Sequence, residues 1–314
     1  MAAVQALPYF KIARPDHWVK NIFMVPGLLF ALLLHRQTTI PFGSILVGLF
    51  STCLAASANY VINEWLDRFQ DQHHPTKSAR PSVHLTLNPT FIYLEYLLLI
   101  TLSLSLAATL NKPFFFIQLW LLAMGVIYNV KPLRTKEIPI LDVLSESINN
   151  PIRFLLGWTL IEAHAIPPCS ILFAYWMAGA YLMGLKRFAE YRFIGDPTLA
   201  TRYRRSFAGY SEETLLTTSV FYGICCSFFL AVFLIKYRIE YLLFFPFLSL
   251  LFAWYLKLSL QPNSNAQRPE GLYYERPFML YVLFLIGLFL ILTLIDVPQL
   301  TSLLHKSTLT WGFS

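Results

Sequence analysis

Long apolar stretches separated by short polar breaks run through the whole sequence. Several reach the roughly 20 residues that a helix needs to cross about 30 Å of hydrocarbon with its backbone hydrogen bonds satisfied internally. They do not alternate polar and apolar residues, as the strands of a membrane barrel do. The pattern predicts an all-α, polytopic membrane protein with nine transmembrane helices, over residues 21–40, 42–63, 86–109, 113–130, 140–160, 168–186, 213–235, 240–258 and 277–296.

The composition agrees with a bilayer as the solvent. Of the 314 residues, 56% are hydrophobic and only 13% are charged, and the mean hydropathy is +0.55, a balance that water-soluble domains of this size do not show. No internal repeat or low-complexity segment divides the sequence. We therefore expect a single transmembrane domain over residues 1–314.

The net charge of +7 reflects basic residues near the span ends, so nucleic acid is not an expected partner. Most lysines and arginines fall in alternate loops, on the side of the N-terminus. By the positive-inside rule these loops face the cytoplasm, and an odd number of spans puts the C-terminus outside. The expected location is the cell (inner) membrane, with the polar chemistry on the cytoplasmic face. The four cysteines show neither a disulfide framework nor zinc-ligand spacing.

Four polar residues at the end of the second predicted span are the leading candidates for a metal site. On a helix, Asn63, Asp67 and Asp71 follow one another at intervals of four residues, and Glu64 falls within the same arc of about 100°. Carboxylates this close repel one another unless a cation intervenes. Oxygen ligands of this kind suit Mg²⁺, which shares its coordination shell with substrate phosphates. The alternative is a solvated helix end with incidental acids.

Basic residues near this helix are candidates for binding phosphate. In the loop that follows, Lys77 can act as a point charge and Arg80 as a bidentate fork, although a basic loop is also the ordinary cytoplasmic feature. Lys20 directly precedes the first predicted span, near Trp18, and the two residues fit an interfacial anchor. Its position near the other basic loops favours a substrate contact.

Polar residues of the fourth and fifth predicted spans form a further group. Tyr128 and Lys131 lie at the end of the fourth span, and Arg153 lies inside the fifth. An arginine among apolar residues is costly and normally faces a polar cavity or a partner. Arg153 is therefore either a substrate contact or the structural partner of Glu146 or of an asparagine.

The sixth predicted span ends with the charged residues Lys186, Arg187 and Glu190. Lys186 and Glu190 are four positions apart and can simply pair, although the favoured helical order places the acid first. Facing the first acidic cluster, these side chains would instead complete a diphosphate pocket.

The order of these motifs resembles the UbiA superfamily of intramembrane prenyltransferases over nearly the whole chain. The shared pattern is an N-x-x-x-D-x-x-x-D helix end, an arginine-proline loop and a weaker repeat at the sixth span. Three pieces are more similar to decaprenyl-phosphate phosphoribosyltransferases than to aromatic prenyltransferases: R-P-D-H-W-V-K-N at 14–21, H-P-T-K-S-A-R-P at 74–81 and K-R-F-A-E at 186–190. The prenyltransferases of the superfamily carry a second aspartate-rich motif at the position where this sequence has K-R-F-A-E. Glu64 departs from the family's usual aspartate.

The resemblance implies a glycosyltransferase that moves 5-phosphoribose from 5-phosphoribosyl 1-diphosphate to a decaprenyl-like polyprenyl phosphate and releases diphosphate, as in the synthesis of arabinan precursors for the cell wall. Mg²⁺ held by Asn63, Asp67 and Asp71, with Glu64 as a further ligand, would neutralise the departing diphosphate. Asn63, Asp67 and Asp71 are then the predicted catalytic residues. The predicted substrate-binding residues are Lys20, Lys77, Arg80, Tyr128, Lys131, Arg153, Lys186, Arg187 and Glu190. Homo-oligomerisation is left open.

Two other functions are also compatible with the sequence. A superfamily member can instead move a prenyl group from a prenyl diphosphate to an aromatic acceptor, and the motif at the sixth span argues against this. A transporter of anionic metabolites also lines its pathway with intramembrane charges. Transporters usually show paired halves or helices interrupted near the midplane, whereas the charges here gather at the cytoplasmic span ends.

Overall fold

A computed structural model of the protein describes residues 6–35, 41–73, 77–262, 264–267, 272 and 275–303, and these residues contain helices but no β-strand. The α-helices are α1 (Ala6–Ile12), α2 (Val25–His35), α3 (Phe42–Asp71), α4 (Pro81–His84), α5 (Pro89–Ala108), α6 (Lys112–Asn129), α7 (Leu141–Ser147), α8 (Asn149–Thr159), α9 (Cys169–Ile194), α10 (Pro197–Tyr203), α11 (Glu212–Tyr237), α12 (Phe245–Ser259), α13 (Arg276–Leu294) and α14 (Pro298–Leu303). The 3₁₀ helices are Pro15–Met24, Lys77–Ala79, Thr135–Glu137, Arg205–Gly209, Ile239–Phe244 and Asn265–Gln267.

Seven helical segments in the described part of the chain are long and apolar enough to cross a membrane. They are Leu7–His35, Phe42–Asp71, Pro89–Ala108, Lys112–Asn129, Glu212–Tyr237, Ile239–Ser259 and Arg276–Leu294. This confirms the predicted all-α, polytopic architecture. The predicted spans at 140–160 and 168–186 are also helical, but they do not belong to this set, so the count of nine spans stays a prediction.

Some predicted boundaries differ from the observed ones. The span predicted at 140–160 is two helices, α7 and α8, joined at Ile148. Pro151 has no N–H to offer the carbonyl of Ser147, which removes one hydrogen bond at this joint. The span predicted to end at residue 186 continues as α9 to Ile194 and carries the charged motif on its last turns. The predicted end of the first span at 36–40, and residues 74–76 of the basic loop, lie outside the described residues.

The helices pack side by side, with α9 along α11, α3 along α5, and α2 across α8. The last pair crosses at Gly27 and Gly157, where an added Cβ would collide with the backbone of the opposite helix. Small residues allow this close approach, as is common between helices in membranes. Large apolar side chains such as Phe42 and Leu280 remain 70% and 66% exposed on the outer surface. Such a surface suits lipid rather than water.

A buried polar cluster also ties three helices together. Gln118 of α6 donates hydrogen bonds to the carbonyl oxygen of Ser51 in α3, at 3.0 Å, and to Oγ of Ser103 in α5, at 2.7 Å. The hydroxyls of Ser51 and Ser103 donate to each other's carbonyl oxygens at 2.8 and 2.9 Å. These bonds satisfy polar groups within the bundle and fix the relative height of α3, whose last two turns carry the predicted metal ligands.

Candidate active site

A cavity of about 800 Å³ lies where the ends of α3, α6, α7 and α9 meet the segment Pro15–Met24. Basic side chains outnumber acidic ones in its lining. The basic ones are Lys11, Arg14, Lys20, Lys77, Arg80, Arg134, Lys136, Arg153, Lys186, Arg187, Arg204 and Arg205. The acidic ones are Asp16, Glu64, Asp67, Asp71, Glu137, Glu146 and Glu190. The cavity is therefore suited to an anionic ligand.

The structure brings all the predicted site residues except Lys131 into the lining of this cavity. Lys131 is exposed and is not among the residues that line it. It begins a tight turn in which the N–H of Arg134 donates to the carbonyl oxygen of Val130 at 2.9 Å. Arg134 takes a left-handed backbone conformation with φ of 31°, and the turn sends Arg134 and Lys136, rather than Lys131, into the cavity.

Asp67 is bound by the two inward-facing basic residues of that turn. Its Oδ1 lies 2.9 Å from Nη2 of Arg134 and 2.5 Å from Nζ of Lys136. Lys136 also donates to Oδ1 of Asn129 at 2.8 Å, and Asn63 donates to the same oxygen at 2.6 Å. The end of α3 and the end of α6 are thus joined by a continuous polar network.

Burial lowers the pKa of Lys136 to about 8, although the carboxylate of Asp67 opposes this shift. Removing a charged ammonium from water favours its neutral form, and a neighbouring anion favours the charged form. Lys136 therefore loses its proton at a much lower pH than an ordinary lysine. Its charge is sensitive to mildly alkaline pH.

The other two carboxylates of α3 have separate partners. Asp71 Oδ2 lies 2.6 Å from Nη1 of Arg80, and Oε1 of Glu64 accepts a 3.3 Å hydrogen bond from Ser82. Within the described residues, no three His, Cys, Asp or Glu side chains are grouped as ligands for one metal ion. The predicted convergence of three carboxylates is therefore not observed. Asp67 and Asp71 are instead paired with basic side chains of neighbouring loops, and Glu64 is bonded to a serine hydroxyl.

The donor set that remains at the end of α3 still fits Mg²⁺. Asp67 Oδ2, Asp71 Oδ1 and Asn63 Oδ1 accept no hydrogen bond from the described part of the chain. Mg²⁺ is usually held in proteins by one or two carboxylates, with waters and substrate phosphates completing its octahedron. Two carboxylates and an amide oxygen on one side of a basic cavity meet that requirement.

At the end of α9, Arg187 forms ion pairs with three carboxylates. Its Nη2 lies 2.7 Å from Glu146, its Nη1 lies 3.2 Å from Glu190, and its Nε lies 3.3 Å from Asp142. The residue is only 1% exposed. Arg187 lines the predicted pocket, but its hydrogen-bonding capacity is used within the protein.

Lys77 joins the two ends of the site, because it lies in the loop after α3 and its Nζ is 2.7 Å from Oε1 of Glu190 in α9. It also donates to the hydroxyl of Tyr203, which donates to Glu190 at 2.9 Å. Burial acts to lower the pKa of Lys77, but the carboxylate of Glu190 outweighs it, so that the pKa is raised. The alternative that Glu190 pairs with Lys186 is not observed, because Glu190 bonds to Lys77 and Arg187.

Several basic residues of the cavity form no ion pair with a carboxylate of the described residues, and Arg153 and Lys186 are among them. Arg153 donates to Oδ1 of Asn21 at 3.0 Å and to the carbonyl oxygen of Asn149 at 3.3 Å. The asparagine alternative for Arg153 is thus observed, whereas Glu146 bonds to Arg187. Lys186 forms no hydrogen bond or ion pair within the described chain, although it lines the cavity. The charges of Arg153 and Lys186 are therefore available to an anionic ligand in the cavity.

Sequence reasoning did not select several residues that build this site. Arg134 and Arg204 lie between helices, Lys136 lies in the 3₁₀ helix Thr135–Glu137, and Tyr203 ends α10. No helical periodicity relates these residues to α3 or α9. For Glu146, the sequence indicates only a possible pairing with Arg153. The cluster of basic residues in the sequence after α6 is the one feature from which a role for Arg134 and Lys136 can be predicted.

The family of the chain follows from comparison with known proteins. The model of the UbiA prenyltransferase family matches residues 23–274. The chain belongs to this family. A UbiA homologue from Archaeoglobus fulgidus, solved with GPP and Mg²⁺, has a TM-score of 0.66 at 22% identity, over 92% of this chain and 100% of that one. At this identity the likeness shows a shared fold.

Curated relatives match over shorter lengths. Nodulation protein NoeC of Azorhizobium caulinodans is 31% identical over 191 residues, which is 60% of this chain and 59% of that protein. A 4-hydroxybenzoate octaprenyltransferase of Xylella fastidiosa is 30% identical over 105 residues, 33% of this chain and 35% of the enzyme. The decaprenyl-phosphate phosphoribosyltransferase of Corynebacterium glutamicum is 32% identical over 100 residues, 31% of this chain and 29% of the enzyme. The chain thus spans less than two thirds of each of these relatives.

Proposed function

We propose that this UbiA-family protein transfers 5-phosphoribose from 5-phosphoribosyl 1-diphosphate to a polyprenyl phosphate and releases diphosphate, with Mg²⁺ as the cofactor. The observation that carries the proposal is the excess of basic over acidic side chains in a cavity that also holds an acidic helix end, with Arg153 and Lys186 among the cations that form no ion pair with a carboxylate of the described chain. A prenyl diphosphate and an aromatic acid bring one diphosphate and one carboxylate. The proposed substrates bring a diphosphate and two further phosphates, which require more positive charge.

The likeness to the Corynebacterium glutamicum phosphoribosyltransferase supports the same donor. The motif K-R-F-A-E at 186–190 adds to this, because it places Lys186 and Arg187 where general prenyltransferases carry further aspartates. In the structure Lys186 lines the cavity and Arg187 holds carboxylates around it. Only Lys186 of the two therefore contacts the donor in our proposal.

In the proposed reaction, an oxygen of the acceptor phosphate forms a bond to C1 of the ribose as the bond from C1 to the diphosphate oxygen breaks. The acceptor phosphate is already an anion, so it needs positioning rather than deprotonation. Lys186 and Arg153 would orient the phosphate groups that carry no metal, and Lys20 also lines the cavity. Asn63, Asp67 and Asp71 would hold Mg²⁺, which neutralises charge on the leaving diphosphate.

The charge pattern supports an orientation with this cavity on the cytoplasmic side of the cell membrane. Apart from Arg153 in α8, the basic lining residues come from the N-terminal segment, the loops after α3 and α6, and the last turns of α9 with the segment that follows it. The positive-inside rule assigns these parts of the chain to the cytoplasmic side. A soluble, highly charged donor would then reach the site from the cytoplasm. The lipid acceptor would reach it from the bilayer.

A second candidate is the transfer of a prenyl group from a prenyl diphosphate to an aromatic acceptor, favoured by the match to the Xylella fastidiosa octaprenyltransferase. Donor binding separates the two functions. We expect the purified protein with Mg²⁺ to bind phosphoribosyl diphosphate, and geranyl diphosphate to compete with it weakly. If the protein binds geranyl diphosphate and ignores phosphoribosyl diphosphate, the aromatic prenyltransferase function replaces the proposed one.

A further inference from the structure

The three carboxylates around Arg187 have few oxygens left for a metal ion. Asp142 is fully buried, and besides Arg187 it accepts hydrogen bonds from Tyr210 at 2.7 Å and from Ser206 at 3.1 Å. Both of its oxygens are thus bonded. The bonds from Ser206 and Tyr210 hold the segment 203–211 against the start of α7, beside the cavity.

Glu146 and Glu190 are bonded in a similar way. Oε1 of Glu190 accepts from Lys77 and Tyr203, and its Oε2 accepts from Arg187. Oε2 of Glu146 accepts from Arg187 at 2.7 Å and from Tyr128 at 2.6 Å. Within the described residues, Oε1 of Glu146 is the one oxygen of the three carboxylates that accepts no hydrogen bond. Mg²⁺ is usually held by one or two carboxylates, so a metal ion bound to more than this one oxygen would have to displace the guanidinium or another of the bonded donors.

The end of α3 is built differently. There Asp67 and Asp71 each bond to basic side chains through one oxygen, and the other oxygen accepts no hydrogen bond from the described chain. A metal ion can approach those oxygens without removing a protein cation. The two acidic ends of the cavity therefore differ in their capacity for metal ions.

We infer that the guanidinium of Arg187 takes the place of a second divalent cation, so that the site binds one divalent ion, at the end of α3, together with a bound diphosphate. A fixed +1 charge with three directed donors holds the carboxylates that a metal would otherwise bridge. The inference goes beyond the proposed function, because it holds for any diphosphate donor. According to this inference, Arg187 determines how many metal ions the site binds.

The test counts metal ions on the full-length protein in detergent, with Mn²⁺ and inorganic diphosphate as the probes. Equilibrium dialysis should give one protein-dependent Mn²⁺ per chain, and the electron paramagnetic resonance spectrum should be that of an isolated ion. A count of two with a spin-coupled spectrum, or a count of zero, would overturn the inference. Because ribose and prenyl groups are absent from the probe, this outcome is independent of which donor the enzyme uses.

Variants of Arg187 test whether this residue limits the site to one metal ion. Arg187→Ala leaves the three carboxylates without their shared cation, and we expect a second Mn²⁺ to bind per chain. Arg187→Lys, the matched control, keeps a positive charge and should still bind one. A folded Arg187→Ala protein that binds one Mn²⁺ contradicts the inference, and if that variant does not fold, the count on the unmodified protein decides.

Discussion

Lys77 and Glu190, which are 113 residues apart in the chain, lie 2.7 Å apart in the structure. The bond ties the loop after α3 to the last turns of α9. It therefore joins the predicted metal-binding end of the cavity to its second charged end. Glu190 is 2% exposed, so removing its partner leaves a buried charge less well compensated.

This contact predicts energetic coupling between the two residues. Lys77→Met and Glu190→Gln should each lower the thermal unfolding temperature of the purified protein. The double variant should be less destabilised than the sum of the single variants, because the second change removes no further bond between them. Differential scanning fluorimetry measures the three values, with exposed Lys257→Met as a control expected to change little. Strictly additive losses would show that the pair does not act as a unit.

Lys186 and Arg187 are expected to differ although they are adjacent. Lys186→Ala removes one charge-assisted phosphate contact, worth about 1.5–3 kcal/mol or roughly ten- to a hundredfold in kcat/KM. Its unfolding temperature should change little, because Lys186 has no bonded partner among the described residues. Arg187→Ala, in contrast, should lower the unfolding temperature. It leaves Asp142, Glu146 and Glu190 without their shared cation.

Steady-state kinetics and thermal unfolding on both variants test this distinction. Arg187→Lys is a matched control that keeps one positive charge. Equal losses of stability in Lys186→Ala and Arg187→Ala would contradict the separate roles assigned to the two residues.

The acidic face of α3 is predicted to be essential for metal-dependent transfer. Asp67→Asn and Asp71→Asn should each abolish product formation and weaken Mn²⁺ binding. Asp67→Asn should also destabilise the protein, because Arg134 and Lys136 lose their shared carboxylate. Glu213→Gln, an exposed change outside the cavity, serves as the control. Undiminished Mn²⁺-dependent turnover in both aspartate variants would remove the metal site from α3.

Donor affinity should fall as the pH rises past about 8. The pKa of Lys136 lies near that value, so the ammonium is charged below it and neutral above it. An anionic donor binds the charged form better, and one proton linked to binding allows at most about a tenfold loss of affinity per pH unit. Isothermal titration of Mg²⁺-phosphoribosyl diphosphate at pH 7 and pH 9 measures the change. In Lys136→Arg, which stays charged, the loss should be smaller; equal losses would assign the titration to another group.

Membrane orientation is predicted from the loop charges. In a background with Cys169 and Cys225 replaced by serine, Leu133→Cys should be protected from an impermeant thiol reagent in intact cells, and Ile166→Cys should react. The natural side chains at positions 133 and 166 are 57% and 82% exposed, so reactivity reports the side of the membrane rather than burial. The reverse labelling pattern would invert the topology.

Helical periodicity was enough to predict that Asn63, Asp67 and Asp71 share one face, and the structure places all three in the cavity lining. The partners of these residues were not predictable in the same way. Arg134 reaches Asp67 through a left-handed backbone turn at a position that is not glycine, which no sequence pattern in this loop signals. Apolar runs predicted most helices because bilayer thickness sets their length. The joint between α7 and α8 depends on one proline, and the role of Arg187 depends on how α7 and α9 pack.

The central claim is the identity of the group transferred. The most direct measurement incubates the purified protein with Mg²⁺ and donors labelled in the transferred group, in parallel reactions. One contains phosphoribosyl diphosphate and decaprenyl phosphate, and the other contains a prenyl diphosphate and 4-hydroxybenzoate. We predict a labelled phosphoribosyl lipid in the first reaction, dependent on Mg²⁺ and absent with Asp71→Asn, and no product in the second. A prenylated aromatic product in the second reaction, with no labelled lipid in the first, would contradict the account.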